Sequence, residues 1–106
     1  MTEIRREWDE AKNLSNQHKH TISFAEASQV FFDPFHVVVD DRVVDGEQRW
    51  QAVGAIDRKS GYLLLLLVAH TIREDPATDR CIEIIRSISA RTAMPEERRV
   101  YEDENG

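Results

Sequence analysis

A single cysteine, Cys81, is all that 106 residues carry. One thiol closes no internal disulfide and supplies no zinc framework, which excludes the stapled mini-protein and zinc-ribbon classes and fits a reduced, cytoplasmic setting. Glycine is scarce at four residues and proline at three, and no Gly/Ser linker, low-complexity tract or internal repeat divides the chain. Long hydrophobic runs are missing too. The longest, Tyr62 to Ala69, is far short of a membrane span and suits a buried strand. Met1 to Trp8 is polar and charged, which reads against a secretory signal. Positive charge is the minority sign, with 14 Lys and Arg against 20 Asp and Glu, a net of −6. That balance is poor for a standalone DNA binder, and no helix-turn-helix or ribbon-helix-helix motif is present. Any phosphate-binding surface has to be local. Much of the acid lies at the ends, at Glu3, Glu7, Asp9 and Glu10 and again at Glu96, Glu97, Glu102, Asp103 and Glu104, which leaves the middle for a basic site.

What is there is one globular domain, residues 1–106, with 41% hydrophobic and 32% charged residues and enough chain for one modest core. Asp9 to His18 carries good helix formers behind an Asp9 N-cap, with Trp8, Ala11 and Leu14 as an inward stripe. Ser23-Phe24-Ala25-Glu26 is a capping box, and Phe24, Ala27, Val30 and Phe31 follow at helical spacing until Asp33-Pro34 ends the helix. From there the pattern is β. Phe35 to Val39 reads as a strand, Asp40 to Glu47 as a polar loop, and Arg49 to Ile56 as a second strand. Asp57 to Gly61 reads as a hairpin turn, and Tyr62 to His70 as a central strand whose five successive leucines imply burial on both faces. Ile72 to Asp79 reads as a polar excursion and Arg80 to Ser89 as a last strand. Pro95 with Glu96 and Glu97 opens a final helix. The expectation is an α+β fold: two N-terminal helices, an antiparallel β-meander and a C-terminal helix.

Five fragments in this order carry a resemblance. They are Trp8-Asp9 with Lys12, Asn16 and Lys19-His20; Ser23 to Ala27; Glu47 to Trp50 with Gly54; Leu65 to Val68 with His70-Thr71; and Ile88-Ser89-Ala90-Arg91 with Glu97-Arg98-Arg99 and Tyr101. Together they span residues 8 to 101, and over that span the chain resembles the BrnT toxins of bacterial type II toxin–antitoxin systems. Thr21 stands where that family usually has glycine after Lys-His, and Asp75 to Asp79 looks like a small insertion. The resemblance implies a RelE-like fold and metal-independent RNA cleavage with no cofactor. It also implies a BrnA-like ribbon-helix-helix antitoxin as partner, with operator DNA reached only through that antitoxin. A module that keeps the RelE-like fold but does not cut is the alternative reading.

Cutting RNA without metal needs a proton taken from the 2′-hydroxyl, charge stabilised at the phosphate and a proton given to the leaving 5′-oxygen. Lys19, His20, Arg49 and Arg91 are the candidate catalytic residues, and Arg86, His70, Thr71 and Arg98 the candidate RNA contacts. Each has a plainer reading. Lys19-His20 suits the negative end of a helix. Arg49 could be an exposed strand residue, and Trp50 beside it belongs to the core. His70-Thr71 could be a strand reaching solvent, and Arg86 could pair with Glu26 or Glu47. Arg98 could lie on a solvated helix face. Arg86 and Arg91 would face opposite sides of an unbroken strand, so one site can use both only through a bulge. His18, His20, His36, His70 and Cys81 match no compact zinc spacing, and no metal site is expected.

Overall fold

The computed structural model describes residues 2–58, 61–75 and 81–105. The elements run β1 (Thr2–Trp8), α1 (Glu10–His20), α2 (Phe24–Ala27) continued by a 3₁₀ segment (Ser28–Phe32), β2 (Val37–Val44), β3 (Glu47–Asp57), β4 (Leu63–Asp75), β5 (Cys81–Thr92) and α3 (Pro95–Asn105). Among the described residues the five strands form one sheet in the order β1-β5-β4-β3-β2. β2 to β5 pair antiparallel in chain order, while β1 adds to β5 in parallel, from Thr2 opposite Cys81 to Trp8 opposite Ser87.

The mixed α+β class stands, but the opening is corrected: a strand, not a helix, comes first. β1 escapes a reading by pattern because it is an edge strand of mostly charged residues, and its pairing with β5 is a contact across the whole chain. The second helix is also shorter than its spacing suggests, one α turn followed by the 3₁₀ segment.

Local chemistry explains the elements. Asp9 caps α1 by accepting the Ala11 and Lys12 amides at 2.8 and 3.3 Å, and Ser23 caps α2 by accepting Glu26 N at 3.0 Å. Of the expected inward stripe only Trp8, at the end of β1, packs inward, its ring 6.4 Å from Phe24; Ala11 and Leu14 of α1 face solvent. Leu14 is 60% exposed, and the buried residues of α1 are Asn13 and Asn16. Asn13 Oδ1 accepts Phe24 N at 2.8 Å, while Asn16 donates to Ile22 O at 2.9 Å and accepts Ala90 N at 3.0 Å. These two amides fasten α1 to the start of α2 and to β5, satisfying backbone groups that would otherwise be buried unpaired. Thr21 ends α1 in the left-handed region at φ 59°, a conformation that glycine takes without strain.

The polar loop expected at Asp40 to Glu47 is mostly strand. Asp45 and Gly46, both at positive φ, form a two-residue hairpin turn between β2 and β3. β4 likewise runs on through Asp75, past the expected break at Ile72. Positions 59, 60 and 76–80, which include Arg80 and parts of the expected turn and excursion, lie outside the described residues.

The sheet buries both faces unequally. On one face Ile22, Phe24, Ala27 and Val30 pack on Ala52, Ile56, Leu66, Val68 and Ala90. Gly54 permits the close approach, since a Cβ there would stand 2.7 Å from Val30 Cγ1. On the other face a smaller cluster of Val53, Leu67 and Ala93, with Leu65 and Tyr101 against it, seats α3. α3 itself contributes no fully buried residue, so that face is covered at one end only.

Candidate functional site

Cross-strand partners share a face of a sheet and alternate residues along a strand change face. Leu67 lies opposite Arg91, Ala69 opposite Ser89 and Thr71 opposite Arg86. The register shifts between Ala69 and His70, so that Ser87 rather than Ile88 faces His70. Ile88 is thus an extra residue in β5, a bulge, and it brings Arg86 and Arg91 to one face. Arg49, two residues before Gln51 on β3, has the parity of that same face, because Gln51 lies opposite Ala69. β3 and β5 flank β4, which sets the Arg49 and Arg86 backbones roughly 10 Å apart across it. Three arginines from the candidate set therefore share the face that α3 only partly covers, with Thr71 buried among their strands.

The electrostatics differ at each arginine. Arg91 donates to both Glu97 oxygens at 2.7 and 2.6 Å, and Glu97 also accepts Met94 N at 2.7 Å at the start of α3. The hydrogen bonds to Glu97 raise the Arg91 pKa, and those from Arg91 hold the Glu97 carboxyl below its usual value. Arg86 pairs with Glu7 of β1 at 2.9 Å, not with Glu26 or Glu47; Glu26 pairs instead with Arg58 at 2.9 Å. Glu7 takes a second arginine, Arg73 of β4, at 3.0 Å. Arg49 is half-buried and makes no side-chain bond among the described residues. A cavity of about 210 Å³ between α3 and the sheet, lined by Gln51, Val53, Leu67, Glu97 and Val100 among others, opens beside these groups.

The remaining candidates are placed elsewhere. His70 is fully buried on the opposite face, its ring 4.8 Å from Phe31 in an edge contact and its Nδ1 3.1 Å from Val68 O. Burial lowers its pKa and keeps it neutral. His70 is thus a core residue and not an RNA contact, which corrects the sequence expectation; strand parity with Thr71 would have predicted opposite faces. Lys19 and His20 are exposed in the last turn of α1. They stand three and four residues past Asn16, on the helix side that meets Ala90, yet neither side chain bonds to an arginine of the open face. Arg98 is exposed on α3 without an ion pair among the described residues. Glu7 and Arg73 lay in segments read as terminus and polar excursion, and only the pairing of β1 and the full length of β4 expose them as members of this face.

A second hollow, of about 430 Å³, is lined mainly by Phe32, Pro34, Phe35, Leu63 and Tyr101 around Asp33. Asp33 is already committed, accepting from Phe35 N, Ala55 N and Tyr101 Oη at 2.9, 2.8 and 2.8 Å. Burial alone would raise its pKa, but these donors prevail and hold it low. Burial, and then Asp33, push Tyr101 up to about 12. This node pins α3 to the loop before β2 rather than offering a reactive group. Among the described residues no group of three His, Cys, Asp or Glu is arranged to hold a metal ion, and no helix is long and apolar enough to cross a membrane.

The sequence pattern of a family described as "Ribonuclease toxin, BrnT, of type II toxin-antitoxin system" matches residues 8–97. No curated protein matches the chain.

Proposed function

The chain belongs to the BrnT family of type II toxin–antitoxin ribonuclease toxins, and from that footing we propose that it cuts RNA, without metal, on the open part of the β3-β4-β5 face. The observation that carries this reading is the Ile88 bulge, which sets Arg86 and Arg91 on one face with Arg49. Arginine forks grip phosphate oxygens and stabilise the charge that grows on them as the bond breaks. Arg49, the one of these three without a partner among the described residues, is the first to meet the scissile phosphate. Lys19 and His20 belong to α1, on the side of the buried Ala90 and away from the arginine face, and take no proton step there. Arg98 serves as a contact, while Thr71, 4% exposed, is buried between the strands of Arg49 and Arg86. The protein acts in the cytoplasm. Its partner is a BrnA-like ribbon-helix-helix antitoxin, which covers Lys19, Arg49 and Arg91 and alone carries the pair to operator DNA.

The Arg91–Glu97 pair favours the alternative of a non-cutting module, because it leaves Arg91's fork already filled. Induced expression separates the two readings. Wild type arrests growth with RNA decay, and Arg49→Ala relieves both at equal protein level; a wild type that leaves growth and RNA untouched selects the non-cutting module.

A further inference from the structure

Arg73 and Arg86 converge on one carboxylate, Arg73 Nη2 at 3.0 Å from Glu7 Oε1 and Arg86 Nη1 at 2.9 Å from Glu7 Oε2. Within this trio two cations meet one anion, in a chain whose net charge is −6. The next pair outward on β1, Glu3 with Arg5 at 3.4 Å, is balanced one to one. Strand register puts Arg73, Arg86 and Glu7 on the face that carries Arg49, since Thr71 faces Arg86 and Arg86 faces Glu7.

Resting on the RNA-cutting reading, we propose that Arg73 and Arg86 form a second phosphodiester-binding fork for the RNA backbone. In the free protein Glu7 holds this fork open, and it gives way when a phosphate arrives. A carboxylate and a phosphodiester each present two anionic oxygens to a guanidinium, so side chains arranged for one suit the other. The exchange is cheap because the node is wet. The Arg73, Arg86 and Glu7 side chains are 54%, 38% and 35% exposed, and ion pairs in that setting contribute little stability. With Arg49 on the other side of Thr71, the RNA backbone crosses β3, β4 and β5, one phosphate near Arg49 and another in the fork.

The test is binding of a fluorescein-labelled, mixed-sequence 2′-O-methyl RNA oligonucleotide, which offers phosphates but no free 2′-hydroxyl for cleavage, followed by anisotropy across a salt series. Arg73→Ala and Arg86→Ala should each weaken binding several-fold and reduce the slope of log affinity against log salt by about 0.7, the value for one phosphate on a single strand. Glu7→Gln, which removes the resident competitor, should tighten binding. Arg42→Ala, an equal loss of charge on the far edge strand β2, should leave the slope unchanged. If Arg73→Ala behaves like Arg42→Ala, or Glu7→Gln fails to tighten binding while still folded by thermal melt, the fork is wrong and the RNA reading stands. If wild type does not bind the oligonucleotide, both fall together. Arg73→Ala, in an exposed side chain, keeps the question answerable should Glu7→Gln unfold.

Discussion

Replacing Arg91 by alanine removes two things at once, a candidate phosphate ligand and the clasp that holds α3. Replacing Glu97 removes only the second. The Arg91–Glu97 side chains are 32% and 21% exposed, so their paired hydrogen bonds contribute about 1 kcal/mol. Glu97 also caps the Met94 amide, and losing a cap costs about 1 kcal/mol more. Glu97→Ala should therefore lower the Tm by roughly 10 °C, and Arg91→Ala by about half of that. Activity should run the other way. Arg91→Ala should lose about a hundred- to a thousandfold in cleavage rate, the usual effect of removing a transition-state donor. Glu97→Ala frees the Arg91 fork and should cut RNA at least as well as wild type below its melting temperature. The assay is initial rate on a labelled RNA at 20 °C, with circular dichroism melts of each variant. Equal losses of rate in the two variants would refute the reasoning, because Arg91 would then act only by seating α3.

Three further outcomes follow from the packing. Thr21→Gly should raise stability by about 1 kcal/mol, since a β-branched residue at φ 59° is strained and glycine is not; urea midpoints check it, and an unchanged midpoint would mean that Thr21 carries no strain. Gly54→Ala should cost about 1–3 kcal/mol, because its Cβ would meet Val30 Cγ1 at 2.7 Å; a neutral effect would mean that the 3₁₀ segment shifts freely. Burial holds the His70 pKa below its ordinary 6.5, so the unfolded chain binds the extra proton first. Stability from His70 is therefore complete above pH 6.5 and declines as pH falls below it, a decline that should flatten in His70→Gln when urea unfolding is followed from pH 7.5 to 5.

Much of the fold was legible where short-range chemistry decides it. Asp9 and Ser23 announce their caps and Gly61 takes the positive φ its turn needs, while the leucine run is buried only in its second half: Leu66 and Leu67 are buried with Val68, Leu64 and Leu65 are half-buried, and Leu63 is 75% exposed. The misses are long-range. β1 is defined by pairing with β5 some eighty residues away, and its alternating charges look like a solvated terminus. Asn13 and Asn16 are buried because distant backbone groups need partners, which no hydrophobic stripe reports. Asp45-Gly46 was a visible hairpin signal inside a stretch that polar composition alone makes a loop. The candidate site follows the same division. Arg49, Arg86 and Arg91 were named from sequence, but their shared face depends on the Ile88 bulge, and a bulge is set by register against β4. Glu7 and Arg73 carry no motif at all; two strands meeting in space make them neighbours.

The central claim is that the arginine face of β3, β4 and β5 cuts RNA without metal, and in vitro cleavage tests it most directly. Purified wild type and Arg49→Ala, matched by melting temperature, are incubated in EDTA with a labelled RNA and with DNA of the same sequence. The account predicts that wild type cuts the RNA at the same rate with or without EDTA, leaves the DNA whole, and yields 5′-hydroxyl ends as attack by the 2′-oxygen requires, while Arg49→Ala is slower by about a hundredfold or more. Cleavage that stops in EDTA and returns with Mg²⁺ or Zn²⁺, or an Arg49→Ala variant as active as wild type, would contradict it.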